Sequence, residues 1–313
     1  MCYDRAMIHY AVQTGRFIKD CPCSPRTVSC GYLNLNLHTG CPYRCSYCIL
    51  QAYLEDSGRP VFYTNISDLE TELGELAAQR QNIRIGTGEL TDSLAYDPQT
   101  QTSRKLLRIF QAYPDMVFEF KTKSVHIRHL MTHPGAIRNI VVSWSLNPQP
   151  LVRREEKKTP SLNRRLKALG EIQERGYRVG IHLDPLLIVP RYRSLYRDLI
   201  RSLARTIRPD RIAWWSLGAL RFPHPLREKI FQHPRSRLFA GELVRGYDDK
   251  YRYFKPLRIE LFSFVRDQIY RQISRDLPLY LCMEDKETWR EIFPGISPRR
   301  ENINRLLYQS VLG

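Results

Sequence analysis

The sequence predicts an α/β protein built on six βα units. Short apolar runs alternate with amphipathic helical stretches along most of the chain. The repeat is roughly 30 residues per unit, the spacing of βαβ crossovers that build a parallel sheet. The alternation stops near Phe222, beyond which the chain turns basic and aromatic. Such a sheet closes either as an open doubly wound layer or as a partial barrel. In both, functional groups gather at the carboxyl ends of the strands.

The elements follow in order. Residues 32–37 alternate apolar and polar side chains and read as the first strand. Residues 47–54 read as a helix, and an amphipathic helix opens near Asp68 and runs to Gln79. Residues 83–85 form the second strand, ending in Gly86-Thr87-Gly88. Helix 104–112, strand 116–121, short helix 125–131 and strand 140–145 come next. Helix 161–175 stops at Gly176, a C-terminal signal. Strand 178–183, helix 194–206 and strand 212–217 complete six units. Beyond them, 259–273 and 286–292 read as helices and 279–282 as a short strand. The expected organisation is an N-terminal extension (1–29), a barrel (30–221) and a C-terminal appendage (222–313).

The chain has 313 residues, 42% of them hydrophobic, enough for a sizeable core. Lys and Arg number 49 against 32 Asp and Glu, a net charge of +17. That excess favours a polyanionic partner. No apolar run approaches the roughly 20 residues that span a bilayer. Asp4, Arg5, His9, Arg16, Lys19 and Asp20 leave no room for a signal-peptide core. The expectation is a cytoplasmic monomer away from membranes. Eight Cys in a chain of this kind point to metal binding rather than to a disulfide framework.

Three of them, Cys41, Cys45 and Cys48, form a C-x3-C-x2-C triplet at the end of the first strand. Thiolates are soft ligands suited to iron–sulfur clusters. Three of them hold three irons of a four-iron cube and leave the fourth open. A closed zinc site would need a fourth ligand, which His38, Cys21, Cys23 or Cys30 could supply. Gly86 and Gly88 let the backbone approach a ligand closely, and Glu89, Thr91 and Asp92 share their loop. Lys123 ends the third strand, where it could pair with a carboxylate. Ser145 and Asn147 end the fourth, within reach of a ribose or an adenine. Arg153, Arg154, Lys157 and Lys158 share a loop with Glu155 and Glu156, which cancels much of that run's charge. Tyr247, Tyr251, Tyr253 and Phe254 interleave with Arg245, Lys250, Arg252, Lys255 and Arg258, a pattern suited to stacking on bases and holding phosphates.

The triplet, with Tyr47 before its last Cys, resembles the radical S-adenosylmethionine superfamily. The resemblance implies a partial (β/α)6 barrel, a [4Fe-4S] cluster and S-adenosylmethionine. It also implies a reduced flavodoxin or ferredoxin-type electron donor. Gly86-Thr87-Gly88-Glu89 resembles the superfamily's loop for the methionine amino group, so Tyr47, Gly86, Gly88, Glu89, Thr91, Asp92, Lys123, Ser145 and Asn147 become cofactor-site residues.

Within the superfamily, the stretch from Cys45 to Gln51 (CSYCILQ), Thr122-Lys123, Ser145-Leu146-Asn147, Gly176-Tyr177 and Arg221-Phe222 resemble the spore photoproduct lyase family, also labelled DNA repair photolyase. Residues 251–262 are similar to the family's DNA-binding hairpin, which marks Arg252, Tyr253, Lys255 and Arg258 for DNA. The implied function is a lyase that uses a 5′-deoxyadenosyl radical to repair a pyrimidine photolesion. Two departures strike the return of hydrogen to the product. Glu89 stands where the family has its hydrogen-donor Cys, and Ile49 where it has a Tyr. Cys282 is a substitute donor to consider. Modification of another nucleic acid such as RNA, or redox sensing without turnover, are the alternatives.

Overall fold

The computed structural model describes residues 8–54, 59–232 and 236–313. Its principal strands are β1 (Ile18–Asp20), β2 (Leu33–Leu35), β3 (Arg84–Thr87), β4 (Val117–Thr122), β5 (Ile140–Ser145), β6 (Arg178–Leu186), β7 (Ile212–Ala219), β8 (Arg221–Pro223), β9 (Leu243–Arg245), β10 (Lys250–Tyr253) and β11 (Leu279–Leu281). Eight of them form one sheet in the order β11-β7-β6-β5-β4-β3-β2-β1. All the pairings are parallel except that of β1 with β2. The six predicted strands are β2 to β7, each beside the next. β5 and β7 are buried along their whole length, as expected where helices cover one face and the interior fills the other.

The helices pack outside by the 3.6 period. Leu162, Leu166, Leu169 and Ile172 put one apolar stripe of helix Leu162–Arg175 onto the sheet. That helix ends at Gly176, whose φ of 107° is the left-handed cap the sequence predicts.

Two parts differ from expectation. Residues 279–281 are not confined to an appendage: β11 pairs in parallel with β7 and widens the sheet. The chain before Cys30 adds β1 to the opposite edge. Strands of three residues are too short to show a period of two, so neither could be placed from pattern. Segment 24–28 then crosses between these edges. The Val28 N–H donates to the Glu284 carbonyl at 2.8 Å, and Thr27 bridges to Asp285. Among the described residues no helix is long and apolar enough to cross a membrane.

One carboxylate shows how far the sheet curls. Glu119 on β4 accepts hydrogen bonds from Tyr32, which precedes β2 (2.5 Å), from His182 on β6 (2.8 Å), from Trp214 on β7 (3.2 Å) and from Ser143 on β5. Side chains from five neighbouring stretches reach one point only if the strands wrap around it. Small residues make the room. A Cβ on Gly86 would stand 2.1 Å from the Tyr32 hydroxyl, and one on Gly180 2.2 Å from Ser143 Oγ. Burial would raise the Glu119 carboxyl, but His182 and the hydroxyl donors outweigh it and hold it at about 2. Burial lowers His182, and the Glu119 carboxylate opposes that shift.

Candidate metal and cofactor site

The Cys triplet lies in the loop after β2, at the carboxyl end of the sheet. Cys45 is buried, and Cys41 and Cys48 are half-buried. The loop has little regular structure of its own, so other segments must fix it. The two-residue strand Arg44–Cys45 pairs antiparallel with Glu156–Lys157. The Ser46 N–H donates to the Glu155 carbonyl (2.7 Å), and its hydroxyl donates to Glu155 Oε2 (2.5 Å). The Gln51 amide donates to the Cys45 carbonyl (2.7 Å).

Behind the loop lies a closed polar network. The Tyr47 hydroxyl donates to Glu156 Oε1 (2.5 Å), Asn147 donates to the same oxygen (3.0 Å), and Arg165 pairs with Oε2 (2.5 Å). The Arg165 and Glu156 side chains are both 0% exposed. The Lys123 ammonium lies 5.8 Å from the Tyr47 ring centre. Burial opposes both charges here. It is outweighed on Glu156 by Arg165 and Lys123, so the carboxyl stays low. It is outweighed on Lys123 by Cys45 and Glu156, so the ammonium stays charged.

The thiols behave differently. Burial pushes Cys41 up to about 12, with Asp92 adding to it, and raises Cys45 and Cys48 as well. A cationic metal cluster is the chemistry that would take them as thiolates. The single-ion alternative loses its fourth ligand. The His38 ring lies tilted against Phe62, with centroids 4.0 Å apart, and shares a 2.9 Å hydrogen bond with Thr102. Cys21 lies at the other end of β2, its N–H bonded to the Tyr32 carbonyl. Among the described residues no three His, Cys, Asp or Glu side chains are grouped as one ion would need. Thiolates on separate irons of a cube stand farther apart than those around one zinc.

The predicted cofactor residues divide. Gly88, Glu89 and Lys123 stand at the ends of β3 and β4, facing the triplet loop. Gly88 has φ 109°, and a Cβ there would lie 2.7 Å from the Lys121 carbonyl, so the loop passes close over β4. Glu89 is half-buried and accepts from Asn36 at 2.9 Å. Others hydrogen-bond or pack within the protein itself. Gly86 lies within β3 against Tyr32 and Glu119. The Asp92 carboxylate accepts from Thr122 Oγ1 (2.5 Å), from the Lys123 N–H (2.6 Å) and from the Leu94 and Ala95 N–H groups (3.0 Å each). Thr91 donates to the Gly40 carbonyl (2.8 Å). Ser145 and Asn147 are buried, and Asn147 bonds Glu156 and the Tyr196 hydroxyl rather than an open space. Sequence reasoning missed Glu155, Glu156 and Arg165. Two acids inside a basic run were the available signal.

The basic–aromatic segment is also tied into the fold. It folds as the antiparallel sheet β8-β10-β9. Arg252 is held by both oxygens of Asp248 at 2.5 Å. Tyr253 is fully buried, its hydroxyl accepting from the Ile188 N–H. Lys255 pairs with Asp285 and Glu287, and the buried Arg258 grips Glu284. All four marked residues thus have partners within the protein, Arg252 and Lys255 while half-buried. The open surface carries others: Tyr247 is 93% exposed with the Arg26 guanidinium 4.5 Å over its ring, and Arg227 lies over the exposed Phe231.

The family model for spore photoproduct lyase matches residues 25–265. The chain belongs to the spore photoproduct lyase family. It is 26% identical over 218 residues to a spore photoproduct lyase of Geobacillus sp. (strain Y412MC61), covering 67% of this chain. It spans 63% of that relative's length. A solved structure of a spore photoproduct lyase complexed with dinucleoside spore photoproduct superposes with a TM-score of 0.75 at 23% identity, covering 88% of this chain and 82% of that one. Streptococcus suis SuiB bound to S-adenosylmethionine shares the fold at a TM-score of 0.54 and 13% identity, covering 86% and 53%. The family match spans the barrel and the triplet loop.

Proposed function

We propose that the protein is a radical S-adenosylmethionine lyase that repairs a pyrimidine photolesion in DNA. The observation that carries this is the triplet loop. Three thiols, one buried and two half-buried, sit at the carboxyl end of a family-matched barrel, clamped through Glu155 and Glu156. Cys41, Cys45 and Cys48 would hold a [4Fe-4S] cluster, and Gly88, Glu89 and Lys123 would face S-adenosylmethionine. Together, cluster and cofactor would supply the radical chemistry by which hydrogen is taken from the substrate. The protein's part is to fix the loop, keep Lys123 charged and exclude water. A reduced flavodoxin or ferredoxin-type carrier is the electron donor that this chemistry requires. We assign the radical machinery to residues 30–221 and nucleic-acid contact to residues 222–313, acting as a monomer. The family's Geobacillus member and its solved relatives, named for the lyase and its dinucleoside photoproduct, support this substrate class.

The deciding experiment is anaerobic turnover of ultraviolet-damaged oligonucleotides, with the nucleosides identified by mass spectrometry. Release of 5′-deoxyadenosine together with restored thymines is expected. Release that does not depend on damaged DNA, with no change in the lesion, would overturn the assignment.

The DNA face makes a separate prediction. Replacing Tyr247 and Arg26 together by Ala should weaken DNA binding roughly tenfold, because a base loses its stacking platform and a phosphate its cation. Replacing Arg252 by Ala should instead lower the melting temperature, since it frees Asp248. Fluorescence anisotropy and thermal unfolding, run on both variants, separate these effects.

A further inference from the structure

Among the described residues Cys21, Cys23, Cys30, Cys41, Cys45, Cys48 and Cys282 are free. The triplet has its task. Cys21 and Cys23 stand apart from it, in a turn Cys21-Pro22-Cys23 that follows β1 directly. Both cysteines are half-buried and Pro22 between them is exposed, so the turn faces solvent.

Its backbone is tightly bent. The Cys23 N–H donates to the Cys21 carbonyl at 2.7 Å, the bond of a three-residue γ-turn. Pro22 favours this turn, because its ring fixes φ close to the value the central residue needs. Both ends are tied down. The Cys21 N–H donates to the Tyr32 carbonyl (3.0 Å), and the Ser24 N–H donates to Met283 Sδ (3.3 Å). Such a turn brings its outer Cα atoms to about 5.5 Å, inside the span that a disulfide bridges.

The side chains follow the backbone. The Cys21 thiol donates a hydrogen bond to the Cys23 sulfur. That bond, aided by Ser29, Arg221 and Arg300, outweighs burial and holds the Cys23 thiol below its ordinary range. The same bond, then burial, holds Cys21 above its own. The two sulfurs are therefore unlike: one ionises readily, and the other keeps its hydrogen. Among the described residues they are not grouped with a third ligand as one metal ion would need.

We propose that Cys21 and Cys23 form a redox-active dithiol that exchanges with low-molecular-weight disulfides, Cys23 attacking and Cys21 resolving. The photolesion reading uses neither residue, and the inference does not depend on it. The Cys23 thiolate attacks one sulfur of the disulfide, whose S–S bond breaks. One thiolate leaves, and a mixed disulfide remains on Cys23. The Cys21 thiol passes its proton to the departed thiolate, and its sulfur attacks the Cys23 sulfur. The second thiolate leaves as the Cys21–Cys23 bond closes. Two cysteine sulfurs are oxidised, and the external disulfide is reduced to one thiol and one thiolate. The γ-turn holds the resolving sulfur beside the mixed disulfide, which makes the second step intramolecular and fast.

The test incubates the full chain anaerobically with excess glutathione disulfide, quenches in acid, alkylates and digests with trypsin. Cleavage after Lys19 and Arg26 yields a peptide, residues 20–26, that carries both cysteines and no other. It should be recovered unalkylated and internally bridged, and a dithiol reductant should return it to the alkylated form. Cys21→Ser should stop at the glutathione adduct on Cys23. Cys23→Ser should leave Cys21 modified roughly tenfold more slowly than Cys23 is in the unaltered chain. A peptide that stays fully alkylated would overturn the proposal, and so would a bridge from Cys23 to Cys30 or Cys282. Zinc or additional iron that protects both thiols from alkylation, and is lost in Cys21→Ser, would overturn it in favour of a metal centre.

Discussion

Cys45→Ala should bind no stable iron–sulfur cluster and release no 5′-deoxyadenosine above background. Cys45 is the buried member of the triplet, and its backbone is held on both sides. It lies opposite Glu156 in the short antiparallel ladder, the next N–H, of Ser46, donates to the Glu155 carbonyl, and its own carbonyl takes the Cys48 N–H and the Gln51 amide. The loop therefore cannot bring another side chain into the vacated position. Two thiolates do not hold a cube that needs three. Iron per chain should drop from about four to nearly none, and activity by at least a thousandfold. Fold stability should fall by only about 1 kcal/mol, since the change removes a single buried sulfur. Anaerobic iron analysis, visible absorption and thermal unfolding check these together. A variant that retained its iron would show that the triplet is not the ligand set.

Glu156→Gln is expected to cost more in stability than any other conservative change near the site. The carboxylate is fully buried and balances Arg165, which is also fully buried, and it helps keep Lys123 charged. Removing one partner of such a pair leaves an uncompensated cation, typically a loss of about 3–5 kcal/mol. The amide could keep the Tyr47 contact but would present a donor toward Arg165. A fall of several degrees in melting temperature should accompany slower cluster reconstitution, because the same residue anchors the loop that carries Cys45. Thermal unfolding of the unloaded protein and reconstitution kinetics separate the two effects. If stability were unchanged, the network would not be holding the loop.

The strands that pattern could reveal were those long enough to show it. The six central ones, with apolar runs such as Ile140–Ser145, were legible, and so was the cap at Gly176. The three-residue edges β1 and β11 were not, because no periodicity fits in three residues. The triplet was legible because ligand spacing is local in sequence. Its supports were not. Glu155, Glu156 and Arg165 lie more than a hundred residues downstream of the triplet, in a run whose charges looked self-cancelling. The converse ambiguity holds at Arg252, Tyr253, Lys255 and Arg258. A cationic, aromatic segment looks the same whether its charges meet phosphate or the protein's own Asp248, Glu284, Asp285 and Glu287. Sequence shows the residue type and not its partner.

The carboxylate inside the barrel has a consequence for how this family can change. Glu119 is tied to Tyr32, His182, Ser143 and Trp214, and the space they occupy exists because Gly86 and Gly180 carry no side chain. No member of that set can be exchanged alone. Apolar replacement of Glu119 orphans four donors, and enlarging either glycine evicts a hydroxyl. Substitutions here are coupled rather than additive. Lineages that depart from this interior are expected to alter several of these positions in concert, whereas the exposed ring of Tyr247 can drift one residue at a time.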